Sequence, residues 1–291
     1  MYPGGENRTV TVCFMWDKAQ NAEVDGMTVY FYPTDGIGRI WRFDIPGRDG
    51  GPVELPTGRY RMLAVNNDLP GITFSGQDSF DEFTANTRRD IGTTVVQPTG
   101  MLYGGKVVDV DVSACCVDYL TSGGVTKECP MGVIRCYPDS LSTIYHVTFS
   151  NIKGSERLRS ASARLAGIAS TMEVSTGLGG DSVCATTFPL TMSTAATPRL
   201  TGLTSGLGNP AGTPAFTLSI TVTRTDGKSF VKNFDVTQQV LNSSTPRNVF
   251  INIEGLEIPD SDIPDQPGGD VGLVVGVDGW QVIEIDISTS V

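Results

Sequence analysis

Residues 1–138 and 139–291 are each predicted to fold as an antiparallel β-sandwich, which makes the chain all-β with two consecutive domains. Three observations carry this expectation. Apolar and polar residues alternate in segment after segment, turn-forming residues fall between those segments, and no stretch of helical length combines an apolar stripe with caps at both ends.

The first alternating segment is Thr9 to Trp16, with Val10, Val12, Phe14 and Trp16 on one face. Met27 to Tyr32 follows, rich in β-branched and aromatic residues; Pro33 stops it and Asp35-Gly36 marks a turn. Ile40 to Ile45 alternates again and ends at Pro46-Gly47. In Val53 to Val65, Pro56 presets φ for a turn and Gly58 is expected to close it with a positive φ. The strand then resumes with Tyr60, Met62 and Ala64 on one face, and Asn66-Asn67-Asp68 is expected to end it through bonds from these side chains to their own backbone. Val107 to Val112 and Gly132 to Tyr137 complete the first set.

Pro138-Asp139-Ser140 is the expected domain boundary, because proline breaks the strand and a fresh alternation, Ile144 to Phe149, begins beyond it. Residues 158–174 space Leu158, Leu165, Ile168 and Met172 irregularly among Ala and Ser, which suits a short helix or an irregular crossover. Phe216 to Val222 and Ser229 to Phe234 flank Asp226-Gly227, a strong hairpin signal. Val249 to Ile253 and Val282 to Ile287 are the closing strands.

Composition agrees. Charged residues are 18% of the chain, below the roughly 25% of an average domain, so Thr, Ser, Asn and Gln supply much of the polar surface. The net charge of −11 disfavours binding to phosphate backbones and anionic lipid. No apolar run reaches the length needed to span a bilayer, and Met1 to Gly5 does not resemble a signal peptide, so if the protein is exported its signal is expected upstream of residue 1.

A search for chemistry returns no catalytic, cofactor-binding or metal-ligating residue. His146 is the single histidine, and alternation turns it away from the face of Tyr145, Val147 and Phe149, as a surface or loop-packed side chain. Cys115, Cys116, Cys129 and Cys136 crowd together, which leaves disulfides open, but their spacing matches no zinc ribbon; Cys13 suits a buried thiol. The acidic loop Asp260 to Asp270 lacks the regular order of a calcium loop. The glycines of Gly177 to Gly180 and of Gly202 to Gly208 read as loops, without a helix terminus to cradle phosphate. Trp41, Tyr2, Tyr103 and Tyr119 lie in or near turns, where ordinary packing competes with sugar stacking or partner anchoring.

Several phrases together resemble a known family. Val10-x-Val12-x-Phe14-x-Trp16, Gly26-Met27-x-Val29-x-Phe31-Tyr32-Pro33 and Leu55-Pro56-x-Gly58-x-Tyr60 leading to Asn66-Asn67-Asp68 are similar to the N-terminal domain of fimbrillin-like lipoproteins of Gram-negative anaerobes. Ala163 to Ala169 resembles the Leu-x-Gly-Met-Ala segment of that family, with Ile168 in place of methionine, and Val277-Asp278-Gly279-Trp280 resembles its closing motif.

The resemblance implies transthyretin-like, Greek-key sandwiches in a non-catalytic surface protein without a cofactor: a fimbrial or pilus-associated subunit or anchor for adhesion and assembly. The alternative is a carbohydrate-binding surface lipoprotein. The implied partners are other pilus subunits or surface ligands such as glycans, with no nucleic acid, and the implied location is the outer membrane, cell surface or fimbrium. Membrane contact would come only through a lipid anchor upstream, because no lipid-bearing cysteine stands at position 1; the end of the chain at Val291, just past its last strand pattern, suits an anchor, tip or stand-alone protein.

Overall fold

The computed structural model describes residues 7–260 apart from 36–37, 68, 89–94, 97, 113–116, 122–123, 129–131, 194–196, 213–214 and 246. Strands come first: β1 Asn7–Phe14, β2 Gly26–Pro33, β3 Trp41–Pro46, β4 Gly50–Pro56, β5 Gly58–Asn66, β6 Ile72–Ser75, β7 Thr84–Thr87 and β8 Val95–Val96. They continue as β9 Tyr103–Val112, β10 Val117–Thr121, β11 Gly124–Glu128, β12 Gly132–Cys136, β13 Asp139–Ser140, β14 Thr143–Ser150, β15 Leu158–Ala169 and β16 Thr171–Glu173. The remainder are β17 Leu178–Gly179, β18 Val183–Met192, β19 Leu200–Gly206, β20 Thr217–Arg224, β21 Ser229–Asp235, the short helix α1 Thr237–Leu241, and β22 Asn248–Glu254. The all-β expectation holds. The strand pattern at 282–287 lies outside the described residues.

The chain forms two compact units. The first takes the N-terminal residues to Asn86 with Gly100–Ser142 and Met172–Leu178; the second takes Thr87–Thr99, Thr143–Thr171 and the chain from Gly179. In the first unit a sheet of order β12-β1-β4 faces another of order β13-β9-β5-β2-β3. Val10, Val12, Phe14 and Trp16 from the β1 side pack with Met27, Val29 and Phe31 of β2 and with Tyr60, Met62 and Ala64 of β5. Tyr60 also donates its hydroxyl to the Pro56 carbonyl at 2.8 Å. Gly58 does not have the positive φ expected of it. It opens β5 beneath Tyr60, whose hydroxyl would stand 3.4 Å from a Cβ there, so the tyrosine rather than the glycine closes this corner.

The second unit runs β21-β20-β15-β18-β19-β14-β22, with β8 also pairing β18. β18 pairs β15 along most of its length and β19 at its last two residues, Thr191 and Met192, so it turns the corner between the two layers. Tyr145, Val147 and Phe149 of β14 fill the core with Leu218, Ile220 and Val222 of β20 and Val249, Ile251 and Ile253 of β22. The Asp226-Gly227 hairpin joins β20 to β21, with Gly227 at φ 86°. Neither unit is purely antiparallel: β1 runs parallel to β12, and β14 parallel to β22.

Residues 158–174 are neither helix nor irregular crossover. β15 pairs β18 on one side and β20 on the other, and β16 follows it. A register shift between Ala166 and Ile168 explains the misleading spacing: Ala163 and Leu165 face the core, the bulge absorbs Gly167, and Ile168 regains the buried face. Gly167 has φ 98°, and a Cβ on it would stand 2.3 Å from the Ala215 carbonyl oxygen.

The outer edge of β22 is covered by a side chain. Gln239 of α1 donates from Nε2 to the Asn252 carbonyl at 3.2 Å and accepts the Asn252 N–H on Oε1 at 2.8 Å, so its amide stands in for a neighbouring strand at that residue.

Cys136 is a free thiol fully buried in the core of the first unit, and burial pushes its pKa up to about 12. The cysteines at 115, 116 and 129 lie outside the described residues.

Two measurements test these features. Gly167→Ala combines a left-handed backbone with a main-chain clash and is expected to lower stability by roughly 1–3 kcal/mol in urea unfolding. Iodoacetamide at mildly alkaline pH, followed by peptide mapping, is expected to label Cys136 only after denaturation. Because an exposed thiol ionises near 9.0 and the folded one only near 12, the stability that Cys136 contributes is complete below the lower value and lost as pH rises toward the upper.

Candidate ligand cleft

β2 lies between β3 and β5 and uses both of its faces. Met27, Val29 and Phe31 point into the core, so strand alternation sends Thr28, Tyr30 and Tyr32 to the other side of the sheet. Register places Thr28 between Asp44 and Val65, Tyr30 between Arg42 and Leu63, and Tyr32 beside Arg61. An aromatic segment beyond β5 covers this second face. Phe83 meets the Tyr30 ring edge-on at 5.0 Å and Phe74 at 5.4 Å, and Phe80 meets Tyr32 at 5.7 Å. Arg61 lies 4.1 Å above the Phe80 ring and pairs with Asp81 at 3.2 Å.

On the β3 side the cover ends and leaves a cleft of about 400 Å³, lined by residues of β2, β3 and β5 and by Asn67, Phe74 and Gln77. Gln77 ties its cover to its floor: the side chain donates to the Tyr30 hydroxyl at 3.0 Å, and its backbone carbonyl accepts from Tyr32 Oη at 3.1 Å. Burial raises the pKa of Tyr30, outweighing the opposing pull of the Arg42 guanidinium. Arg42 Nη2 donates to Asp44 Oδ1 at 2.9 Å, and Thr28 Oγ1 donates to the same oxygen at 2.7 Å. Thr28 Oγ1 also lies in hydrogen-bonding contact with Asn67 Oδ1. One hydroxyl carries one proton, so Thr28 serves one of these oxygens at a time, and because Arg42 already donates to Asp44 Oδ1 the proton is free to serve Asn67 Oδ1.

Asn66 and Asn67 do not bond to their own backbone as expected. Asn66 is buried, donates from Nδ2 to the Met101 carbonyl at 3.0 Å and accepts the Tyr103 N–H at 2.7 Å. Asn67 turns into the cleft; Asp68 lies outside the described residues.

The other candidates are dispersed. His146 lies on the outer face of β14 and stacks on Phe250 of β22, with centroids 4.6 Å apart and planes 11° from parallel. Trp41 packs partly against the core with the Arg39 guanidinium 3.7 Å over its ring, and Tyr103 meets Trp16 edge-on at 5.8 Å. Tyr2 and most of the acidic loop lie outside the described residues, as does the side chain of Tyr119; Asp260 stands 3.6 Å from Arg157 Nη2. Among the described residues, no three His, Cys, Asp or Glu side chains gather as metal donors.

The glycines of 202–208 are not all loop. Gly202 and Gly206 lie inside β19, where a Cβ would meet Leu190 and Ile168 at 2.6 Å, so these positions serve close packing. Gly179 likewise belongs to the short strand β17.

The sequence contained half of the cleft's signal. Thr28 and Tyr30 alternate with buried residues, and Arg42-x-Asp44 recurs at period two on β3. What joins these pairs is register and the fold-back of Phe74 and Gln77, which no local pattern encodes.

Comparison with known proteins adds four findings. A stretch of 72 residues is 32% identical to the "Putative fimbrium anchoring subunit Fim4B" of Bacteroides ovatus, covering 25% of this chain and only 21% of that protein. In overall fold the chain is similar to a putative adhesin from Bacteroides ovatus, with TM-score 0.64 and 19% identity over 90% of this chain and 95% of that one. It is also similar to the fimbrial anchor protein Mfa2 from Porphyromonas gingivalis, with TM-score 0.53 and 16% identity over 86% and 91% of the two chains. At these identities the structural likeness speaks for the fold alone. Residues 2–189 match the family described as a domain of unknown function, DUF5119, and the chain belongs to that family.

Proposed function

We propose that this chain is a non-catalytic, cell-surface fimbrial protein, an anchor or accessory subunit that acts in adhesion and assembly. The observation that carries this reading is the sequence likeness to a fimbrium anchoring subunit, which coincides with a fold shared with a fimbrial anchor protein over most of both chains. The partners on this reading are other subunits of the fimbrium and ligands on neighbouring surfaces. The outer membrane is the proposed site of attachment, reached through a lipid anchor.

The physical chemistry agrees. The surface charge is strongly negative, which suits a partner recognised by shape and main-chain pairing better than a nucleic acid.

Surface labelling and shearing of fimbriae from producing cells test the proposal. The protein is expected to be accessible to a membrane-impermeant label and to co-purify with fimbrial subunits after crosslinking. Recovery only from the cytosol, or fimbriae whose composition and attachment are unchanged when the gene is deleted, would overturn it.

A further inference from the structure

The geometry points to the cleft between Thr28, Asp44, Asn67 and Phe74 as a binding site for a neutral saccharide, occupied by one sugar ring that places its hydroxyls on Thr28, Asp44 and Asn67 and an apolar face on Phe74. This deepens the reading of the chain as a binding protein of the cell surface and rests on it.

Charge narrows the ligand first. Arg42 and Asp44 are the charged lining residues, and they are paired at 2.9 Å, so a ligand of either net charge gains at one and loses at the other. An anionic ligand also meets a chain of net charge −11. A neutral molecule suffers neither penalty.

Hydrogen-bonding capacity narrows it further. Arg42 and Thr28 together satisfy Asp44 Oδ1 and Asn67 Oδ1 once, and the Asn67 carbonyl oxygen keeps a second lone pair that a ligand hydroxyl can fill. Among the described bonds, those at the cleft use Asp44 Oδ1 and Asn67 Oδ1, which leaves Asp44 Oδ2 as an acceptor and Asn67 Nδ2 as a donor. Acceptors and donors side by side match adjacent sugar hydroxyls, each of which both gives and takes. Phe74 and Val65 add the apolar wall that the C–H face of a pyranose requires. The volume of about 400 Å³ falls at the small-ligand end of the range for binding pockets.

The site is also held in place before a ligand arrives. Thr28 and Tyr30 are buried, and Gln77 fastens the cover to the floor, so little ordering remains for the ligand to impose. Hydrolysis is not what this arrangement serves: Asp44 is the one carboxylate among the described lining residues, whereas glycoside cleavage uses a pair.

The test uses the full chain and a panel of methyl glycosides of glucose, galactose, mannose, fucose and N-acetylglucosamine, with glucuronic and N-acetylneuraminic acids as the charged comparison. Binding is read by saturation-transfer NMR and titration calorimetry. At least one neutral glycoside is expected to bind, and Thr28→Val and Asn67→Leu are each expected to weaken it about tenfold or more. Phe74→Ala is expected to weaken it as well, while Phe250→Ala, in the other unit, leaves it unchanged. Circular dichroism and thermal melting identify any variant that fails to fold. Asn67 is only half-buried and supplies the decisive comparison should Thr28→Val unfold.

Absence of binding by every neutral glycoside, binding of the charged sugars alone, or binding that survives Asn67→Leu and Phe74→Ala in folded protein would overturn the assignment. None of these results alters whether the chain co-purifies with fimbriae, so the two proposals fail separately.

Discussion

β2 and β5 are buried on both faces, and the organisation of the first unit follows from that constraint. A sheet in a simple sandwich keeps one face for water. Here Tyr30 and Tyr32 stand on the face that would be wet, each with a large apolar ring that gains from cover and a hydroxyl that loses by it. Gln77 resolves the conflict at both tyrosines, the side chain serving Tyr30 and the main chain serving Tyr32. The aromatic segment can then settle on the sheet without leaving either hydroxyl unpaired. The cleft exists because this cover stops short of β3.

Much of this was legible in the residues and some of it was not. Period-two alternation, β-branched and aromatic content and turn signals together located β1, β2, β3, β5, β14, β20, β21 and β22. Alternation failed at β15, where one extra residue at Gly167 breaks the period and makes a strand look like an irregular helix. Turn chemistry failed at Gly58, where the expected role belonged to Tyr60: turn statistics describe local φ preferences, whereas the contact that mattered spans four residues and needs a buried hydroxyl.

The cleft was harder to foresee. Thr28 and Asp44 are unremarkable singly, and Asn66 and Asn67 look like ordinary strand enders. Register brings Thr28 and Asp44 together, and the close of β5 carries Asn67 to them. Adjacent asparagines also part ways: Asn66 knits Met101 and Tyr103 to the sheet, while Asn67 faces the opening. Fold class is written in short periodicities; a binding surface is written in which periodicities become neighbours.

Gln239 has a consequence for how far the second sheet can extend. An arriving β-ribbon would gain main-chain bonds at Asn252 only by surrendering the two that the glutamine already makes, so the exchange at that rung is close to neutral. At that rung one amide mimics the next step of the ladder without being able to carry it onward, so a newcomer gains nothing there.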